Sequence, residues 1–331
     1  MQVLLLTKNE IEHLISINEV MQAVEVAFKE KGLGYAQMPT KTFFFFPKYN
    51  GDLRTMSSYL ERLETSAVKV VNSHPSNPSK FSLPTVTATI ILIDPKSGVP
   101  LAIMDGTWIT AMRTGAAGGL AAKYLARRNS EVAGLVGSGR QARTQLMALL
   151  TLYGKLDLVK VWSIEKESRE TFVSEMKDTY NGLAEIVSVE NVEDAVQDTD
   201  IVVTTTPSRV PLVRDKWISE GTHINCIGAD APGKEELDPI ILKRAKIVVD
   251  DWEQASHSGE INVPLSQGLI SKNDVWGDIC EIAAGLKRGR TSESEITVFT
   301  STGLAIQDAV TAKLVYDKAI SKKIGQTIEM F

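Results

Sequence analysis

Residues 132–142 read VAGLVGSGRQA, and the reading of this stretch decides the fold. An apolar run is followed by Gly137, Gly139 and Ala142 in a G-x-G-x-x-A pattern, and RQARTQLMALLTLY continues with helical spacing. A strand feeding a helix through such a turn has a specific physical use. Gly137 permits the tight turn, Gly139 lets backbone N–H groups approach a pyrophosphate, and Ala142 allows close helix–strand packing. The helix N-terminus turns partial positive charge toward the anion. The alternative is a plain strand-to-helix turn that happens to hold two glycines.

Outward from this turn the context supports the first reading. LVKVWS leads into KESRETFVSEMKDTY, EIVSV into VEDAVQ, and IVVTTT, HINCIG and KIVVDD follow. Short, wholly apolar strands alternating with helices predict a parallel sheet covered on both faces. Before this block the chain reads differently. VLLLT predicts a strand, and KNEIEHLISINEVMQAVEVAFKEKGLG one helix with Val20, Val24, Ala27 and Phe28 on one face, stopped by Gly32 or Gly34. KTFFFFP, SAVKVVN and TVTATIILID predict further strands, and RTGAAGGLAAKYLARRN (113–129) a helix that Arg113 opens. The tail, LAIQDAVTAKLVYDKAISKKIG, is helical again.

Bulk properties bound the class. At 331 residues the chain exceeds the usual single-core range and predicts two domains. A net charge of −5 recruits neither nucleic acid nor an anionic membrane surface. Cys226 and Cys280 are too few for a disulfide framework. The N-terminal apolar stretch is too short for a signal sequence, which makes a cytoplasmic enzyme or binding protein the expectation. His13, His74, His223 and His257 lack metal-ligand spacing, and no metal site is expected.

Several single residues carry candidate chemistry. The strand after the glycine turn ends at Ser163, where an acid would mark an NAD ribose site. Serine removes a charge that would repel a 2′-phosphate, and Arg140, Arg143 or Lys166 offers a cation. Glu165 offers the acidic role instead, so NAD and NADP both stay open. Thr204, Thr205 and Thr206 end a strand, and either line a nicotinamide pocket or satisfy loop backbone. Lys69 lies in SAVKVV, an expensive place for an unpaired ammonium unless that face is solvated. At a helix start Arg113 is disfavoured by the dipole, and a pyrophosphate or a neighbouring carboxylate would compensate it. Asp230 follows HINCIG, at the strand end where ligands of open α/β sheets gather, or else caps the next turn.

The stretches MPTKTFF, GDLRTMS, VKVVNSHPSNP, LPTVTAT, MRTGAAGG, GSGRQA, TTTPS, GTHINCIGADAPGKEELD, SHSGEIN and FTSTGLAIQD together resemble the ornithine cyclodeaminase/mu-crystallin family, most nearly its archaeal alanine dehydrogenase branch. The similarity runs nearly end to end. It implies an α/β fold: a Rossmann dinucleotide-binding domain at 129–303, and an α+β substrate and dimerisation domain built from both chain ends, 1–128 and 304–331. It implies Lys69 as general acid/base, Asp230 near the reacting carbon, and Lys41 and Arg54 on the substrate carboxylate. Cofactor contacts fall on Thr85, Arg113, Arg140, Gln141, the Ile227, Gly228, Ala229 and Asp230 segment, Lys234 and Ser301, beside Gly137, Gly139, Ser163 and Thr205 from the direct reading. The implied reaction is reversible NAD(P)-dependent oxidative deamination of L-alanine by a homodimer. Ornithine cyclodeaminase and cyclic ketimine reductase stay open as alternatives, and so does a non-catalytic dinucleotide binder.

Overall fold

The computed structural model describes residues 2–330. The described residues divide into two compact units, 2–113 with 304–330, and 114–303. The first cut therefore falls inside a helix, Gly106–Leu125, rather than at the 128/129 turn.

In the first unit, strands β1 (Gln2–Leu6), β2 (Ala36–Gln37), β3 (Thr42–Phe46), β4 (Gly51–Leu60), β5 (Thr65–Ser73), β6 (Val86–Ile93), β7 (Pro100–Asp105) and β18 (Gln326–Glu329) make one mixed sheet. Its order is β18-β1-β7-β6-β5-β4-β2, with β3 on β4, and among the described residues only β1 and β7 pair in parallel. Side chains alternate between faces along β5, where Ala67, Lys69 and Val71 point to the buried one. Met56 and Ile90 sit opposite Lys69 on the flanking strands. The C-terminal helix Ala305–Lys322 covers this face, its Ala305 packing with Met56, Val71 and Ala88.

Two element boundaries differ from the sequence reading. The expected first helix is two, Lys8–Glu12 and Ile17–Gly32, because Ser16 and Glu19 form a capping box that starts the second. The helix expected to begin at Arg113 begins at Gly106, because the Asp105 carboxylate accepts from the N–H groups of Thr107 and Trp108. Arg113 is thus a mid-helix residue, and the dipole argument for an anion beside it does not apply.

In the second unit, β8 (Val132–Val136), β9 (Leu158–Trp162), β10 (Glu185–Ser188), β11 (Ile201–Thr204), β13 (His223–Cys226), β15 (Lys246–Val249), β16 (Val275–Asp278) and β17 (Thr297–Thr300) form an all-parallel sheet ordered β10-β9-β8-β11-β13-β17-β15-β16. Two short strands, β12 (Arg209–Val213) and β14 (Glu235–Leu237), pair separately. The first five strands of the large sheet give the Rossmann order, with the switch point between β8 and β11, and β17 inserts beyond β13. Alternation along the strands feeds two cores. Ala133, Leu135, Val159 and Val161 meet Leu146, Leu149 and Phe172, whereas Val136, Val202 and Ile224 meet Val196, Ile241 and Ile261. Apolar side chains on both faces are what make these strands read as unbroken hydrophobic runs.

Candidate functional site

The first unit gathers its charges around Lys69. The side chain is fully buried, its Nζ 2.6 Å from Asp308 Oδ2 and 3.5 Å from Thr110 Oγ1. Asp308 Oδ1 also accepts from Arg113 Nε at 3.0 Å, and Arg113 Nη1 donates to Gln307 Oε1 at 3.0 Å. One carboxylate is therefore shared by two buried cations. Burial and the Arg113 charge lower the Lys69 pKa to about 7, against the Asp308 attraction that raises it; Lys41 lowers it further. An amine that shares its proton near neutrality can act as acid or base. Arg113 is accordingly matched by a carboxylate of its own unit.

Arg54 lies on the same sheet face, since its β4 neighbour Met56 pairs with Lys69. Asp52 holds its guanidinium, Nε at 2.9 Å from Oδ1 and Nη2 at 3.3 Å from Oδ2, and the Phe43 ring lies 5.3 Å away. Lys41 directly precedes β3. Thr85, just ahead of β6, is exposed, and its carbonyl accepts from the His74 N–H.

The second unit places its candidates along one edge of the parallel sheet. Gly137, Thr205, Ile227 and Ser301 each follow the last residue of β8, β11, β13 and β17, and those last residues are in register. Gly137 has φ +113°, and a Cβ there would meet Thr205 Oγ1 at 2.5 Å, so this turn needs glycine. Gly139 caps the helix Arg140–Tyr153 in an extended conformation, and a Cβ there would meet nothing within 4 Å. Ser301 is buried, and its hydroxyl has no hydrogen-bond partner among the described residues. Open space at a helix N-terminus, beside an unsatisfied hydroxyl on the same strand edge, fits a dinucleotide.

Around this edge, Arg140 is exposed and Gln141 half-buried in the first helical turn. Arg143 is committed to Glu175 and to the Ser138 carbonyl, and Lys166 pairs with Glu170. Ser163 is buried at the end of β9, and its carbonyl accepts from Arg169 Nη1 at 3.0 Å. Asp230 pairs with Lys234 at 2.6 Å, beyond Gly228 and the buried Ala229. Among the described residues no three His, Cys, Asp or Glu side chains gather as metal ligands, and no helix is long and apolar enough to cross a membrane.

Asp308, Thr110, Gln307 and a buried carboxylate, Glu236, were not singled out from the sequence. Asp308 stands in the first turn of its helix, where an acid is ordinary for dipole reasons. Only the strand register and the helix crossing it reveal its partners.

With this geometry in place, comparisons with known proteins become informative. The family model described as the ornithine cyclodeaminase/mu-crystallin family matches residues 1–323. An alanine dehydrogenase of Archaeoglobus fulgidus is 53% identical over 331 residues, covering 100% of this chain and 99% of the relative. A solved archaeal alanine dehydrogenase dimer with bound NAD superposes with a TM-score of 0.95 at 52% identity, covering 100% of both chains. The Δ1-pyrroline-2-carboxylate reductase of Thermococcus litoralis, solved with NADH and L-proline, gives 0.95 at 44% identity, covering 98% of this chain and 100% of the other.

Proposed function

Because the chain belongs to the ornithine cyclodeaminase/mu-crystallin family, we propose that it interconverts L-alanine, NAD(P)+ and water with pyruvate, ammonium, reduced cofactor and a proton. The observation that carries this reading is the Lys69 amine, buried between Asp308 and Arg113 with a pKa near 7. The identity to the Archaeoglobus fulgidus enzyme supports alanine as the substrate.

Residue roles follow from chemistry. Arg54, its plane held by Asp52, and Lys41 bind the substrate carboxylate. Neutral Lys69 takes the proton released by the substrate ammonium, and returns protons as water adds to the imine and ammonia leaves. The family resemblance carries proton handling to Asp230 as well. The turn at Gly137 and Gly139, Thr205 and Ser301 hold the dinucleotide. A nicotinamide bound there would supply the hydride acceptor. The chain works as a homodimer, in keeping with the archaeal relative.

A second reading is reduction of a cyclic imino acid, supported by the Thermococcus litoralis relative. Such a substrate uses the same carboxylate clamp and the same proton donor. Ornithine cyclodeamination has weaker support. Its distal ammonium needs an acid, and Asp52, the acid closest to the clamp in sequence, is bound to Arg54.

The test is a panel of L-alanine, L-ornithine and L-proline, each with NAD and NADP, read at the reduced-nicotinamide absorbance band. Net reduction with L-alanine, reversed by pyruvate and ammonium, is expected. Proline formed from ornithine without net reduced cofactor overturns the proposal, and so does oxidation of L-proline alone.

A further inference from the structure

Beneath the cofactor edge of the second unit lie two carboxylates that the proposed reaction does not use. Glu236, in β14, is fully buried, and both its oxygens are filled. Oε1 accepts from the Thr206 N–H at 2.7 Å and from Thr206 Oγ1 at 2.7 Å. Oε2 accepts from Thr204 Oγ1 at 2.8 Å and from the Gly228 N–H at 3.0 Å. These four donors are neutral, and they come from the two segments that leave β11 and β13. Below, Glu260 Oε1 accepts from the N–H groups of Glu236 and Leu237 at 2.8 and 2.7 Å, which fixes β14 itself.

A carboxylate in this place costs desolvation, and an apolar side chain would fill the space more cheaply. Its geometry shows what it accomplishes. Thr204 and Thr206 both turn toward Glu236, and in extended chain the residue between them turns away. That residue is Thr205, whose Oγ1 is the atom a Gly137 Cβ would strike at 2.5 Å. Gly228 is equally constrained, since a Cβ there would lie 2.1 Å from the Thr206 carbonyl and 2.6 Å from Glu236 Oε2. Glu236 thus ties the β11 exit, the β13 exit and, through Thr205, the glycine turn into one arrangement.

We infer that Glu236 is a positioning residue for dinucleotide binding, a buried acceptor that sets the Thr204–Thr206 and Gly228 segments so that Thr205 is held against Gly137. Burial and the neighbouring Glu236 charge push Glu260 well above the ordinary carboxylate range, and burial raises Glu236 too, against the pull of the Thr206, Thr204 and Gly228 donors that favour its charged form. Glu236→Gln keeps the shape but puts an amide NH2 where one oxygen accepted two bonds, so the backbone N–H there loses its acceptor and the threonine hydroxyl keeps a bond only by turning to accept. Thr206→Val removes one hydroxyl donor while the backbone donors remain.

This inference rests on the reading that a dinucleotide binds this strand edge, and the experiment separates the two. NADH binding is followed by fluorescence titration of the full-length wild type, Glu236→Gln and Thr206→Val, beside thermal unfolding of each without ligand. The wild type is expected to bind, Glu236→Gln to bind at least tenfold more weakly, and Thr206→Val several-fold more weakly with an unfolding midpoint close to wild type. A wild type that does not bind NADH overturns the reading and the inference together. A wild type that binds, with Thr206→Val and any folded Glu236→Gln binding equally well, overturns the inference alone. If Glu236→Gln does not fold, Thr206→Val decides: weaker binding supports positioning, and unchanged binding leaves Glu236 a purely structural group.

Discussion

At neutral pH the Lys69 amine stands close to its midpoint, because burial and Arg113 pull against Asp308. The signs can be followed one residue at a time. In the proposed reaction the base is the neutral amine, so kcat/KM for alanine oxidation should rise with pH through about 7. Asp308 favours the charged form, and Asp308→Asn should move this acid limb to lower pH. Arg113 disfavours the charged form, and Arg113→Gln should move the limb to higher pH. Lys69→Ala should cost about a thousandfold in turnover and leave dinucleotide affinity unchanged. pH–rate profiles of the three variants decide the matter. Limbs that stay in place in both charge variants would mean that Lys69 is not the titrating base. The position of Lys69 in an apolar strand was legible in the sequence, but its partners were not. Asp308 lies more than two hundred residues away in the chain, and only β5 and the crossing C-terminal helix bring the two together.

The same division holds for whole elements. The strand–turn–helix at 132–153 and the apolar strands after it were legible because parallel strands are buried on both faces and turns of this kind require glycine. The Gly106–Leu125 helix was misplaced because TWITAM carries strand-like residues, while the start signal, Asp105, closes the preceding strand. The turn itself yields a paired prediction. Gly137→Ala should destabilise the protein by roughly 1–3 kcal/mol, since alanine is strained at φ +113° and collides with Thr205. Gly139→Val meets no such obstacle, having an extended backbone and open space. It should unfold within a few degrees of wild type yet bind NADH at least tenfold more weakly, about 1.4 kcal/mol, because the side chain fills the space left for the pyrophosphate. Calorimetry and NADH titration on both variants read the two effects separately. Equal NADH affinity in Gly139→Val would place the dinucleotide elsewhere.

For the whole molecule, the feature left to explain is the apolar surface around β3. Among the described residues this strand pairs only with β4, and it exposes Phe44 by 54% and Phe45 by 64%, with Phe46 and Tyr49 adding to them. Phe44 and Phe45 point to opposite faces of this strand, and exposed aromatic side chains there invite association, whereas a chain that works alone would blunt them with charge or proline. Under the proposed homodimer this edge is the surface to bury. Phe45→Asp should then raise the dimer dissociation constant at least a hundredfold, about 2.7 kcal/mol, measured by sedimentation equilibrium. Under the same proposal this strand would couple assembly to substrate. Lys41 directly precedes it, and Phe43 carries the Arg54 guanidinium on its ring. A β3 that loses its cover should hold both cations less firmly, so in the Phe45→Asp monomer KM for alanine should rise while the dissociation constant for NADH stays at its wild-type value. A variant that remains dimeric with unchanged KM would show that this edge is not the contact. A monomer with unchanged KM would show that β3 positions Lys41 and Arg54 without help from a second copy.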